Sequence, residues 1–397
     1  MKNNRNLKDK NILFLVHNYN SFQKDQIESV ARYFNKVYVM VRYKPISRIA
    51  KWFPIKFFKK YRDRYVIDLM DIPQNVEVFR APVYYLPFGL FNKLLGFSHY
   101  NAVDRMVRRQ EIKFDLIHAH FIWSSGYVGM RLKEKYDKPL VITGHGYDVY
   151  KLPFYSEWWT NKIKVIGNSA DLVITVSEGN RRKLLEIGIP NPRIKILPNG
   201  YNSKLFYKLD KALIRKEKGI PEQSKVLVSV GNLEEVKGHK DLIEAVKYLK
   251  KEYPKILCYI IGGGSLHDYL KSLMREYDLE DNVFLVGYLT HEKINKWMNL
   301  ADLFVLSSLQ ESFGIVQLEA FATGTPVVAT RTVGSRELIK SDEHGFLTSI
   351  GNPKEMAENI KKGLEREWDE DNILNYVEGY SWQRIGRETA QEYEKIL

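Results

Sequence analysis

The stretch ADLFVLSSLQESFGIVQLEAFATGTPVVAT, residues 301–330, runs from an apolar segment through a short polar loop into helical spacing and then into a second apolar segment. DLFVLS (302–307) and PVVAT (326–330) lack polar alternation, as parallel strands covered on both faces do. The stretch therefore reads as one strand–loop–helix–strand unit. Its loop raises a chemical question, because Glu311 and Glu319 bracket Gly314 and a mostly apolar run. On one helix, eight positions at about 100° each would set the two acids about 80° apart. Starting the helix near Gly314 instead leaves Glu311 and Ser312 in the loop and Glu319 one turn into the helix. Gly314 then permits close backbone approach, and the amides from Gly314 to Gln317 form an anion site. Spacing alone equally allows a capped amphipathic helix with two solvated acids.

The same unit recurs along the chain. Strands are expected at ILFLV (12–16), VYVMV (37–41), VEVFR (76–80), DLIHAH (115–120), PLVITG (139–144), DLVITV (171–176) and RIKIL (193–197). A second series follows at KVLVSVG (225–231), ILCYII (256–261), NVFLVG (282–287), DLFVLS, PVVAT and GFLTS (345–349). Helical patterns such as DQIESVARYF and DLIEAVKYLKKEY separate them. Such alternation specifies α/β layers, here two Rossmann-like doubly wound domains joined near NGYNSKLFYKLDKA, residues 199–212. A chain of 397 residues is long enough for two or three cores. Ligands in these sheets sit at the carboxyl ends of the strands.

Three more strand-end loops carry candidates. Lys237 lies six residues beyond Gly231; a lone lysine there is ordinarily a solvated charge. Gly262-Gly263-Gly264-Ser265 is a turn that allows close approach to a ligand, although three glycines alone are a weak signal. His145, in Gly144-His145-Gly146-Tyr147-Asp148, is flanked by glycines at a strand's carboxyl end and is poorly explained as core filling.

Composition excludes several classes. Hydrophobic residues make up 44% of the chain, which is ordinary for a globular protein. The single cysteine, Cys258, sits in an apolar run, so a disulfide framework is excluded and a reducing compartment favoured. No run approaches the ~18 apolar residues of a spanning helix, and ILFLV is too short for a signal-peptide core. A cytoplasmic protein is the expectation. Residues 1–200 carry 34 Lys plus Arg against 17 Asp plus Glu, whereas residues 201–397 carry 27 against 31. The halves thus face different partners, and nucleic acid, a membrane surface or an anionic substrate each suits a basic half.

These residues carry a resemblance. DLIHAHF, VITGHGYD, ADLVITVSEGNRRKL, KILPNGYNSKLF, VGNLEEVKGHKDLIEA, IIGGGS, NVFLVGYL and ESFGIVQLEAFATGTPVVAT occur in the order found in retaining glycosyltransferases of family 4, from about residue 12 onward. The glutamate pair followed by AxxxGxPVVA is the specific element. The resemblance implies the GT-B fold, two Rossmann-like domains facing across a cleft. It assigns residues 1–203 with 380–397 to an acceptor domain, because YSWQRIGRETAQEYEKIL is similar to the family's closing helix, and 204–379 to a nucleotide-sugar domain.

The resemblance also implies roles. A nucleotide-diphosphate-sugar donor would set its diphosphate against Lys237 and the helix starting near Gly314 and Ile315. Glu319 would accept from the ribose hydroxyls, and Glu311, with Ser312, Phe313 and Gly314, would hold the transferred sugar. Gly287 and Tyr288 match the loop beside the base, and Gly263 and Asn232 fall in the remaining donor loops. His145 matches the residue beside the reacting carbon, and His120 lies on the acceptor side. Transfer to an acceptor hydroxyl would proceed with retention, the leaving phosphate taking the acceptor's proton. Neither a protein nucleophile, a metal nor a cofactor is then expected. His118 and His120, two apart on a strand, would point the same way. At Asn232 the family usually has Arg, so Lys237, with Arg331 or Lys240, would carry the diphosphate charge. The first loop, HNYNSFQKDQ, lacks the family's paired glycines.

Residues 42–65 interleave Trp52, Phe53 and Phe57 with Lys56, Lys59 and Lys60 at helical spacing, interrupted by Pro54. An apolar stripe with basic flanks suits an interfacial helix, and LPFGLFNKLLGF (86–97) is a second candidate; the competing reading packs these aromatics on the domain. A peripheral enzyme at the inner face of an anionic membrane, extending a lipid-linked or envelope glycan, is the expectation. Two rivals stand beside it: a nucleotide-sugar epimerase of the same fold, and a basic nucleic-acid-binding protein, for which no recognisable motif is present.

Overall fold

The computed structural model describes residues 7–45, 67–84 and 90–397. The chain forms two compact units, Met1–Asn199 with Trp382–Leu397, and Gly200–Ser381.

The first unit holds a seven-stranded sheet: β1 (Asn11–Val16), β2 (Lys36–Tyr43), β3 (Val76–Pro82), β4 (Leu116–His120), β5 (Leu140–Gly144), β6 (Leu172–Thr175) and β7 (Ile194–Ile196), in the order β3-β2-β1-β4-β5-β6-β7. All its pairings are parallel. Successive side chains of a strand leave opposite faces. Accordingly Leu13, Leu15, Tyr38 and Met40 enter one core, and Ile12, Phe14, Val16, Val37 and Val39 enter another. Continuous apolar strands are thus explained by helices on both sides. Trp382–Ile396 belongs to this unit and seals the second core with Tyr393. It lies so close to Ser21–Ala31 that a Cβ on Gly386 would stand 2.5 Å from the Ser29 hydroxyl.

The second unit holds β8 (Val226–Val230), β9 (Leu257–Ile261), β10 (Val283–Gly287), β11 (Leu303–Leu306), β12 (Val327–Thr330) and β13 (Gly345–Thr348), in the order β10-β9-β8-β11-β12-β13. These too are parallel. Leu227, Cys258, Ile260, Leu303, Val305 and Val328 share one core with Leu242, Val246, Met356 and Ile360. Cys258 is a buried core residue whose thiol burial pushes up to about 12. Both units are Rossmann-like, and the thirteen strands among the described residues lie where the apolar runs predict them. Among the described residues no helix is long and apolar enough to cross a membrane.

Candidate functional site

In the second sheet the strand order reverses between β8 and β11, and doubly wound sheets open their ligand crevice at such a reversal. The loop after β8 carries Lys237 and the loop after β11 carries Glu311. Backbone contacts stitch the two loops together. The Ser307 hydroxyl donates to the Lys237 carbonyl at 2.9 Å, and the Leu309 N–H donates to the Val236 carbonyl at 2.8 Å. Between them Gly238 takes φ +60°, and a Cβ there would stand 2.1 Å from the Ser307 carbonyl oxygen. Only glycine satisfies both conditions. The Lys237 stem folds back over Gly231, and its ammonium donates to Glu311 Oε2 at 2.7 Å.

Glu311 is held at its backbone as well, since its carbonyl accepts from the Gly334 N–H at 3.0 Å. Gly334 packs so tightly that a Cβ would meet the Phe313 backbone at 2.5 Å. Phe313 is buried, whereas Ser312 and Ile315 are half-buried. Gly314, at φ +80°, caps the helix Ile315–Phe321, and Glu319 is half-buried in its second turn. One expected amide is otherwise engaged: the Gln317 N–H donates to the Gly314 carbonyl at 2.9 Å, so the open amides of this turn stop short of Gln317.

The triple glycine departs from its sequence reading. A Cβ on Gly262 would stand 1.9 Å from the Gly231 carbonyl oxygen, and one on Gly264 would stand 2.4 Å from that of Leu233. These two positions are filled by the chain's own backbone, not kept for a ligand. Gly263 alone has open space, and its carbonyl accepts from the Leu233 N–H at 3.1 Å. Gly287, at φ +84°, accepts from the Gly262 N–H at 2.9 Å, which ties the β10 loop into the same set. Tyr288 beside it is 71% exposed. Asn232 is exposed where β8 ends, and Lys240 is exposed on His239–Leu249. Arg331 turns to β13, donating to the Leu347 carbonyl at 3.3 Å, so its charge is directed to the sheet edge. His239, buried next to Gly238, was not signalled by the sequence; burial lowers its pKa to about 4.

In the first sheet the order reverses between β1 and β4. His120 ends β4, His145 follows β5, and the two rings meet with His145 Nε2 3.1 Å from His120 Nδ1. Phe121 and Phe22 pack on His145 with ring centroids 4.7 and 5.3 Å away. Burial lowers the His145 pKa to about 3, so the imidazole is a neutral donor–acceptor at ordinary pH. Asp148 sets the loop: its carboxylate accepts from the N–H groups of Ile122 at 2.7 Å, Gly146 at 3.1 Å and His145 at 3.2 Å. No motif marks Asp148 for this role, yet a carboxylate three residues after the residue it caps is a local turn signal. His118 does share a face with His120, their centroids 4.7 Å apart, but its ring nitrogens are committed to Tyr393 Oη at 2.6 Å and Thr143 Oγ1 at 2.7 Å.

Among the described residues no group of three or more His, Cys, Asp or Glu side chains is arranged to hold a metal. Trp52, Phe53, Lys56, Phe57, Lys59 and Lys60 lie outside the described residues.

Two family models match the chain: Glycosyltransferase Family 4 over residues 62–205, and Glycosyl transferases group 1 over residues 210–378. An uncharacterised glycosyltransferase from Methanocaldococcus jannaschii is 31% identical over 301 residues, 71% of this chain and 75% of the relative. Sucrose-phosphate synthase from Thermosynechococcus elongatus has a similar structure, with TM-score 0.77 and 22% identity over 97% of this chain and 98% of that one. The Anabaena protein HepE, in complex with UDP-glucose, gives TM-score 0.72 and 22% identity over 97% and 100%.

Proposed function

Because the chain belongs to the group 1 glycosyltransferases of family 4, we propose that it moves a glycosyl group from a nucleotide-diphosphate sugar to a hydroxyl of a glycan or lipid-linked acceptor, with retention at the anomeric carbon. The observation that carries this reading is the Lys237–Glu311 pair at the strand reversal of the second unit. A diphosphate entering there competes with Glu311 for the Lys237 ammonium. The carboxylate, relieved of its cation, accepts from the hydroxyls of the transferred sugar. One contact thereby sets both halves of the donor, while Glu319 on the following helix takes the ribose.

As the glycosidic bond breaks, negative charge gathers on the leaving phosphate, and a fixed ammonium within reach stabilises it more than it stabilises the bound substrate. The phosphate oxygen, on the same face as the incoming hydroxyl, takes its proton, so the chain supplies neither nucleophile nor general base. His145, neutral and packed against Phe121 and Phe22, is assigned by the family resemblance to the transferred sugar as a hydrogen-bonding group. This charge arrangement needs no metal, and activity is expected to persist in chelator.

The test is release of nucleotide diphosphate from UDP-, GDP- and ADP-sugars with and without candidate acceptors, with the product's anomeric configuration read by NMR. Acceptor-dependent release with an inverted product refutes retention. Isomerisation of the donor without transfer makes the protein an epimerase.

A further inference from the structure

Two residues after Lys237 comes a buried imidazole, His239, which opens the helix His239–Leu249 and is 3% exposed. A Cβ on Gly231 would stand 3.4 Å from Lys237 Cγ and Cδ and 3.6 Å from His239 Nε2, so the lysine stem and the ring flank one point at the end of β8. The ring faces the backbone of Gly231 and Asn232, yet neither Nδ1 nor Nε2 reaches a partner with hydrogen-bond geometry. A neutral imidazole carries one donor and one acceptor, and native interiors rarely leave both unused. An apolar side chain would fill this place without that cost.

Positive charge is scarce at this strand end. The diphosphate of a sugar nucleotide is doubly anionic, whereas Lys237 already faces Glu311 at 2.7 Å, Arg331 is directed to the sheet edge, and Lys240 is exposed. The loops and helix around His239 carry Glu234, Glu235, Lys237, Lys240, Asp241 and Glu311. Glu234 is engaged by the Ser265 N–H at 3.2 Å and hydroxyl at 2.9 Å. Of these groups, Lys237 is the charge that acts on the ring. Burial lowers the His239 pKa to about 4; the Gly231 and Asn232 backbone opposes that, and the Lys237 charge adds to it. The positive end of its own helix acts in the same sense as Lys237. The imidazole is therefore neutral in the free protein, held so by burial and by a cation that a bound diphosphate offsets.

We propose that His239 couples donor binding to proton uptake: the diphosphate offsets the Lys237 charge, and the imidazole takes a proton from solvent and becomes a second cation behind the loop. This rests on the nucleotide-sugar reading of the site. Both ring nitrogens then donate, and the Gly231 and Asn232 backbone, which already favours the charged ring, receives them. No bond of the donor is made or broken in the step. An opposite charge close by raises proton affinity about ten- to a thousandfold. Because the bound state holds the proton more tightly, binding strengthens as pH falls, and that gain is lost as pH rises through the titration of the bound imidazole.

The experiment is calorimetry of the full-length protein with UDP-glucose, GDP-mannose and ADP-glucose, whose diesterified phosphates do not titrate near neutrality. Titrations at pH 6 in two buffers of different ionisation enthalpy count the protons taken up. Uptake is expected with whichever sugar nucleotide binds, and affinity about threefold or more tighter at pH 5.5 than at pH 8. His239→Gln should abolish the uptake and flatten the pH profile, two readouts that a merely structural role would not move. If that variant does not fold, ring-nitrogen NMR of the histidines decides: one imidazole should pass from neutral to charged when the donor binds, and should still do so in His145→Gln. Binding without uptake, no imidazole changing charge, or uptake that His239→Gln retains, as protonation of Glu311 would give, overturns the coupling and leaves the donor reading standing. Failure of all three sugar nucleotides to bind removes the donor reading and the coupling together.

Discussion

Lys237 and Glu311 stand 74 positions apart in the chain and 2.7 Å apart in space, each three-quarters or more removed from solvent. Neither can be altered without consequence for the other. Lys237→Ala and Glu311→Ala are each expected to lower turnover by about 10²-fold or more, the range for losing one preorganised contact to developing charge. Because the two residues act as a unit, the double variant should be little worse than the poorer single one. Steady-state release of nucleotide diphosphate measures all four corners of the cycle; simple multiplication of the two losses would refute the coupling.

Glu319 and His145 should separate binding from chemistry. Glu319→Ala is expected to weaken nucleotide affinity about tenfold while the protein stays folded, as follows from losing hydrogen bonds to a charged acceptor. His145→Ala should leave nucleotide affinity near wild type and lower kcat. Calorimetry with the nucleotide and initial rates distinguish the two, and near-normal values in both variants would remove these roles.

Two adjacent glycines make a sharper test of the donor loops. Gly262→Ala places a methyl against the Gly231 carbonyl, where a Cβ would come to 1.9 Å, and should cost several kcal/mol or prevent folding. Gly263→Ala meets nothing within 4 Å and should change the melting temperature little. Thermal denaturation of the two proteins side by side decides; equal destabilisation would show that the triple glycine is not divided as described.

Acid should destabilise the first unit. His118 and His145 have pKa values lowered by burial from 6.5 to about 3. Between those values the unfolded chain binds protons that the folded chain refuses, so stability present above pH 6.5 is lost as pH falls toward 3. His145→Gln should flatten the dependence. Melting temperatures from pH 7.5 to 4.5 check the sign, and a rise on acidification would contradict it.

Within the second core the closing helix makes a buried polar contact with the sheet, from Tyr393 to His118. Tyr393→Phe removes the 2.6 Å bond to His118 and leaves Nδ1 unsatisfied, a loss of about 1–3 kcal/mol. Turnover at low temperature should be unaffected, because His118 is turned to Thr143 and Tyr393. Denaturant unfolding and initial rates together test this.

The strands were legible because parallel strands buried on both faces must be apolar throughout, as in ILFLV and DLFVLS. Loops were legible as places and less so as contacts. That Glu311 sits in a strand-end loop follows from where the helix can start; that its cation is Lys237 depends on β8 and β11 being neighbours, which no local pattern encodes. Gly262 and Gly264 look like ligand space in sequence because a glycine's reason is whatever lies against it, here the carbonyls of Gly231 and Leu233. Arg42, His99 and Ser124 carry no motif and come from three separate elements, so only the folded unit reveals that Arg42 Nη1 and His99 Nδ1 meet at Ser124 Oγ, 3.2 and 2.9 Å away. Asp148 was within reach, since its capping of His145 is local.

The passage of Trp382–Ile396 back to the first unit has a consequence for the order of events during synthesis. Residues 7–199 leave the ribosome early, yet their second core lacks Tyr393 and Ala390 until all of Gly200–Ser381 has been made. The first unit therefore waits, with Phe34 and His118 uncovered, through the translation of an entire second unit that has no such debt. Domains usually mature in the order they emerge; here the unit that emerges second is the first able to finish.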